Sequence, residues 1–134
     1  MATIQKSLRI PANILKEIEE IARETKRDFT TVTNELLKEA VRVRRSPGIV
    51  FTEGTNGKRA RVAGTGIEVW EIIATYRSVD GSFSRLSRAY NWLTVQQLKA
   101  ALGYYKLYKE EIDALIAENE GWTPEKISEK YPFL

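Results

Sequence analysis

The stretch TIQKSLRI at residues 3–10 decides the fold, because its polar and apolar side chains alternate. The apolar side chains stand at even positions, and these are Ile4, Leu8 and Ile10. The polar side chains stand at odd positions, and these are Thr3, Gln5, Ser7 and Arg9. A period of two predicts one half-buried strand. Lys6 interrupts the apolar side, although its stem can lie along the surface while its ammonium group stays in water.

From Pro11 onward the apolar period becomes that of a helix. The first amphipathic helix is predicted from Ile14, Ile18, Ile21 and Ala22. After residues 25–29 a second helix is expected, with Thr30 as its N-cap. Its apolar stripe is expected to consist of Val32, Leu36, Ala40 and Val43. The segment Ser46-Pro47-Gly48 ends this unit, because proline cannot continue a helix and glycine readily ends one.

One strand and two helices within residues 1–46 form an incomplete fold. A single strand leaves both of its edges unpaired, and so small a unit buries too little apolar surface. Two copies that pair their strands into an antiparallel ribbon would share one core. We therefore expect an obligate homodimer, with higher oligomers on DNA left open.

The order of strand, LRIP at residues 8–11, helix, turn and NELLKEA at residues 34–40 resembles the ribbon-helix-helix DNA-binding proteins of the Arc, MetJ and CopG group. The resemblance implies that the ribbon enters the major groove of double-stranded operator DNA. The side chains that would read base edges are then Gln5, Ser7 and Arg9. It also implies phosphate contacts at the start of the second helix, by Thr30 and Thr31.

Residues 47–120 are expected to form a second, helical domain with a small β-hairpin. Segments 49–53 and 58–63 are apolar or alternating and are separated by turn residues, which predicts the hairpin. A buried helix follows from Val69, a short helix covers 82–90, and a longer one runs from Thr94 through Ile116. A short helix, a tight turn and a capped helix are typical of a helix-turn-helix.

This half resembles a small helix-turn-helix-like domain family found in bacterial antitoxins of VapB type. The resemblance lies in PGIVF at 47–51, RVAGTG at 61–66, VWE at 69–71 and LTVQQLKAAL at 93–102. A second candidate DNA surface would then consist of Arg85, Arg88, Gln96, Gln97 and Lys99. The competing interpretation is that these are ordinary surface residues of helices and that the tyrosine-rich helix serves dimer or core packing.

Composition excludes most enzyme chemistry. The 134 residues contain no histidine and no cysteine, so an imidazole base, a thiolate nucleophile and a His or Cys metal site are ruled out. A carboxylate-bound magnesium site would need Glu110, Glu111 and Asp113, which do not converge on one helix. We therefore expect a binding protein that is not an enzyme and needs no cofactor or metal.

Charged residues are distributed unevenly along the chain. Residues 1–46 have ten basic and seven acidic residues, residues 47–103 seven and four, and residues 104–134 four and seven. Residues 121–134 are expected to form a short helix or tail that packs or binds a partner. The absence of a long apolar run predicts a cytoplasmic protein, associated with the nucleoid through DNA and not with a membrane.

Two functions follow from these residues and resemblances. The first is a sequence-specific, homodimeric transcriptional regulator that acts as the autorepressing antitoxin of a type II toxin-antitoxin system. The second is a protein-interaction module that neutralises a partner toxin mainly through its C-terminal domain, with DNA binding secondary.

Overall fold

The computed structural model describes residues 2–54 and 57–120, which are mainly α-helical with one small antiparallel hairpin. They divide into two compact units, Met1–Arg42 and Val43–Leu134. The first unit contains α1 (Ala12–Thr25) and most of α2 (Phe29–Arg45), because the boundary between the two units falls inside α2. The second unit contains β1 (Ile49–Gly54), β2 (Gly57–Val62), α3 (Val69–Ser78), α4 (Phe83–Ala89), α5 (Val95–Leu107) and α6 (Lys109–Glu120). The predicted tail at residues 121–134 lies outside the described residues.

The helical hairpin of the first unit turns at a residue with left-handed backbone. Lys26 has a φ of 55°, and the N–H of Arg27 returns to the carbonyl oxygen of Ala22 at 2.9 Å. The next helix is capped by Asp28, whose Oδ1 accepts the N–H of Thr31 at 2.6 Å. The prediction of Thr30 as the cap is therefore wrong. An aspartate one turn before a free amide supplies a charged acceptor, whereas a threonine supplies only a hydroxyl.

Residues 2–10 lie in neither a helix nor a strand of the single chain. A β-strand is defined by hydrogen bonds to a neighbouring strand, and the predicted ribbon takes that neighbour from a second copy. The strand at residues 3–10 thus stays a prediction.

The hairpin of the second unit is antiparallel, with Ile49 opposite Val62 and Phe51 opposite Ala60. This agrees with the predicted hairpin, although part of its turn, residues 55 and 56, lies outside the described residues. Helices α3, α5 and α6 pack together, and α5 also contacts both strands. The fully buried large side chains are Ile49, Val62, Val69, Ile72, Ile73, Leu86, Leu98, Tyr104, Ile112 and Ile116.

The long C-terminal helix expected from Thr94 through Ile116 is two helices that meet at Tyr108. This residue has φ −128° and ψ 46°, outside the helical region, and it ends α5. Beyond the break, α6 packs against both α3 and α5 and buries Ile112 and Ile116 completely. The apolar side chains have the same spacing on both sides of Tyr108, so the sequence alone does not reveal the break. The break is compatible with the burial that α6 gains.

A network of hydrogen bonds and one ion pair links these three helices at the surface. Arg77 on α3 donates to the Tyr105 hydroxyl at 2.9 Å, and that hydroxyl donates to Asp113 Oδ1 at 2.8 Å. Arg77 also pairs directly with Asp113. The hydrogen bond from Tyr105, followed by that from Arg77, lowers the pKa of Asp113 below its ordinary value, so the carboxylate stays ionised at neutral pH.

Candidate nucleic-acid interface

The three predicted base readers precede α1 and are exposed. Gln5, Ser7 and Arg9 each present their side chain to solvent, as does Lys6 between them. Their neighbours Ile4 and Leu8 are also exposed, at 89% and 70%. The single chain therefore leaves both the polar and the apolar side of this segment uncovered.

The first unit, called unit 1 below, buries few of its apolar side chains completely. Among its described residues, the buried apolar side chains are Ala22 and Val32. The large apolar side chains that remain exposed are Ile4, Leu8, Ile14, Ile21, Leu37 and Val41. Stable monomers rarely expose so large a share of their apolar side chains on one small unit, so this surface is suited to a partner.

Helix α2 carries apolar residues on two sides. Of the predicted stripe, Val32 is buried and Leu36 is half-buried in the single chain, whereas Ala40 and Val43 are exposed. A second stripe consists of Leu37 and Val41, exposed at 56% and 53%. At 3.6 residues per turn these two lie about 140–180° around the helix from Val32. The sequence contains this second stripe, but a search for one face per helix passes over it.

The predicted phosphate contacts at the start of α2 need correction. Hydrogen bonds from the hydroxyl and the N–H of Thr31 hold the pKa of Asp28 below its ordinary value. The amide of Thr31 is therefore engaged by its own chain, and the ionised Asp28 carboxylate adds negative charge where a phosphate was expected. Thr30 is exposed in the first turn and stays a candidate.

The second candidate surface lies on α4 and α5. Arg85 and Arg88 are exposed on α4, and Gln96 and Lys99 are exposed on α5. Gln97 is different because its Oε1 accepts the N–H of Thr94 at 2.8 Å in a capping box, in which Thr94 Oγ1 accepts the N–H of Gln97. The cap at Thr94 confirms the predicted start of this helix, but Gln97 is half-buried and serves that cap, so its assignment as an exposed reader is wrong.

The same region has a charge pattern that a tally over long segments overlooks. Residues 81–109 contain no aspartate or glutamate. Their basic residues, all exposed, are Arg85, Arg88, Lys99, Lys106 and Lys109. A search for stretches that lack acidic residues would have found this region and added Lys106 to the candidates.

Two of the three carboxylates considered for a metal site make hydrogen bonds between helices. Glu111 accepts a hydrogen bond from the Tyr104 hydroxyl, and Asp113 is engaged by Arg77 and Tyr105. Within residues 2–54 and 57–120 no three acidic side chains are grouped in a way that could hold a metal ion. In the same described part, no helix combines the length and apolarity needed to cross a membrane.

Comparisons with known proteins find matches to the second unit. Residues 49–105 match the family described as "Protein of unknown function (DUF433)". The chain is also similar to a DUF433 member protein of Anabaena variabilis ATCC 29413 whose crystal structure is known. The two share 34% sequence identity over 65% of this chain and 83% of that chain, with a TM-score of 0.45. No curated protein matches the chain.

Proposed function

We propose that this chain, which belongs to the DUF433 family through its second unit, is a homodimeric, sequence-specific DNA-binding regulator. Because the family is one of unknown function, the proposal depends on the residues of this chain. Its first unit would form the ribbon-helix-helix dimer that reads DNA.

One observation carries the proposal, namely the uncovered apolar surface of unit 1. Leu8 is 70% exposed and Leu37 is 56% exposed, while the helical hairpin between them buries little. A second copy that pairs residues 3–10 antiparallel and packs its helices against the ribbon would cover Ile4, Leu8 and Ile10. The odd-numbered side chains would then point outward together from both copies of the ribbon.

Those outward side chains have the chemistry to read base pairs. Arg9 can donate two hydrogen bonds to guanine, Gln5 can pair with adenine through its amide, and Ser7 can bond to either kind of edge. Dimer symmetry places each reader twice in the groove. The exposed hydroxyl of Thr30 is the proposed phosphate contact that remains at the start of α2.

Substitution of Arg9 gives the sharpest test of base reading. We expect Arg9→Ala to weaken binding to a duplex enriched from a randomised pool by about 1–3 kcal/mol, or about 5- to 150-fold, and to relax the preference at one position. Gel-shift titration measures both quantities. Arg23→Ala removes the same charge from an exposed site on α1 and is the matched control. Equal binding curves for Arg9→Ala and Arg23→Ala would refute base reading by the ribbon.

An autorepressing antitoxin of a type II toxin-antitoxin system is the biological role that we propose for this regulator, located with the nucleoid in the cytoplasm. The role is supported by two resemblances together, that of the first half to ribbon-helix-helix DNA-binding proteins and that of the second half to a domain family found in VapB-type antitoxins. The alternative is a module that neutralises a toxin mainly through its C-terminal domain. It is favoured by α6, where Glu110, Glu118 and Glu120 are exposed and would attract a basic partner.

Co-purification from the native host separates this role from that of a solitary repressor. We expect a small protein encoded beside this chain to be recovered with it in a stable complex. Recovery of the homodimer alone, from lysate prepared at low salt, would contradict the antitoxin role and leave DNA regulation unaffected.

A further inference from the structure

Helix α5 presents one outer face on which every charged residue is positive. This α5 outer face consists of Gln96, Lys99, Gly103 and Lys106, all exposed. At 3.6 residues per turn, the four residues lie within about 80° of one another around the helix. They also extend over about 15 Å of its length, at 1.5 Å per residue. The face is thus a continuous strip along the helix, and Val95 and Leu107 border it.

Gly103 stands in the middle of this strip without a structural reason. A Cβ added there would meet nothing within 4 Å. Glycine in a helix interior destabilises the helix by about 1 kcal/mol relative to alanine. The fold of the second unit would therefore be more stable with alanine. A glycine at this position instead lets another molecule approach the helix backbone closely.

The charges on the face indicate which molecule approaches. If a second copy crossed α5 antiparallel at Gly103, Lys99 of each copy would lie near Lys106 of the other, and like charges would repel. No carboxylate is available between residues 81 and 109 to relieve that repulsion. A polyanion, in contrast, would neutralise both lysines and could place its backbone against the glycine.

We propose that the α5 outer face docks on the phosphate backbone of duplex DNA, with the closest approach at Gly103. This inference rests on the proposed function in that the chain binds DNA, but it concerns another surface on another unit. The face would supply phosphate contacts through Lys99 and Lys106, and base reading is assigned to the ribbon of the first unit. A second anchor on the same duplex strengthens binding by raising the effective concentration of DNA at the ribbon.

Substitution of Gly103 by alanine should raise the stability of the free protein and weaken its binding to DNA. We expect Gly103→Ala to raise the melting temperature of the free protein by about 2–6 °C. The same change is expected to weaken binding of the full chain to duplex DNA by about tenfold, because a methyl group is forced into a close contact. Gly66→Ala is the matched control, since a Cβ there also meets nothing within 4 Å and Gly66 lies outside the face. A stabilised Gly103→Ala variant that binds DNA like the wild type would overturn the proposal.

Removal of the two lysines tests the electrostatic part. We expect Lys99→Gln combined with Lys106→Gln to reduce the salt dependence of duplex binding, with the logarithmic slope falling by about 0.9 for each phosphate that the protein no longer neutralises. The control pair is Lys16→Gln with Lys38→Gln, which removes the same charge from exposed positions on the helices of the first unit. An equal fall in both pairs would mean that only overall charge matters and would overturn the proposal.

The proposals for the two DNA surfaces can be tested separately, because each predicts different effects of the variants. If ribbon reading is wrong, Arg9→Ala keeps wild-type sequence preference while the α5 variants still lose affinity, which supports the α5 proposal alone. If the α5 proposal is wrong, the α5 variants bind duplex normally while Arg9→Ala still loses preference. An α5 variant that binds duplex normally but no longer retains a co-purifying protein would assign the face to that protein and overturn DNA docking.

Discussion

Truncation of Leu37 to alanine tests whether unit 1 is completed by a second copy. Full burial of a leucine side chain contributes about 1.5–3 kcal/mol. Leu37 is 56% exposed in the single chain, so covering it in a dimer would contribute about 0.8–1.7 kcal/mol per protomer. Two symmetric copies double the figure to about 1.7–3.4 kcal/mol. The dimer dissociation constant should rise by about 20- to 250-fold.

Sedimentation equilibrium over a dilution series measures this constant directly. Leu107→Ala is the matched control, because Leu107 is 48% exposed and lies on α5 in the other unit. We expect the control to leave dimerisation unchanged in the absence of DNA. A Leu37→Ala variant that dimerises like the wild type, or a wild type that stays monomeric at high concentration, would refute the dimer derived from this surface.

Two further predictions concern the second unit. Ile72→Ala should lower the free energy of unfolding by about 2–5 kcal/mol, since Ile72 is fully buried and its truncation leaves a cavity. Urea denaturation measures this loss, and Val95→Ala at the surface should stay within about 0.5 kcal/mol of the wild type. Asp113 has a pKa held below its ordinary value of 3.8, so the ionised carboxylate stabilises the fold above pH 3.8, and this stabilisation disappears as the pH falls through the lowered pKa. Thermal melts should show Asp113→Asn to be less stable than the wild type at pH 6, and this difference in melting temperature should disappear below pH 3.8. A difference that stays constant with pH would contradict the stabilising role of the ionised Asp113.

Local chemistry made part of this fold predictable from sequence. The hairpin followed from two short apolar stretches around turn residues, and the start of α5 was predicted at Thr94, which forms a capping box with Gln97 in the structure. Both depend on groups that are neighbours in the chain. The same capping box shows the limit of that reasoning, because a glutamine assigned to DNA is the partner of Thr94.

Features set by tertiary packing were not predictable in the same way. The break at Tyr108 lies inside one uninterrupted apolar period, and it is compatible with the burial of Ile112 and Ile116 against α3. The Asp28 cap is hard to identify because three threonines follow it within five residues, each an acceptable cap by itself. Among the candidate readers, Gln5, Ser7 and Arg9 are exposed, but so are Ile4 and Leu8. The predicted two-sided strand therefore stays a prediction that depends on a second chain.

Selection of duplexes from a randomised pool by the full-length protein tests the central claim most directly. An isologous dimer that places Gln5, Ser7 and Arg9 twice in the major groove should enrich one motif with two-fold symmetry. Sequencing of the retained duplexes reads out the motif. A pool that is retained in a salt-dependent manner but shows no enriched sequence, or an enriched motif without two-fold symmetry, would contradict a homodimeric regulator that reads DNA through its first ten residues.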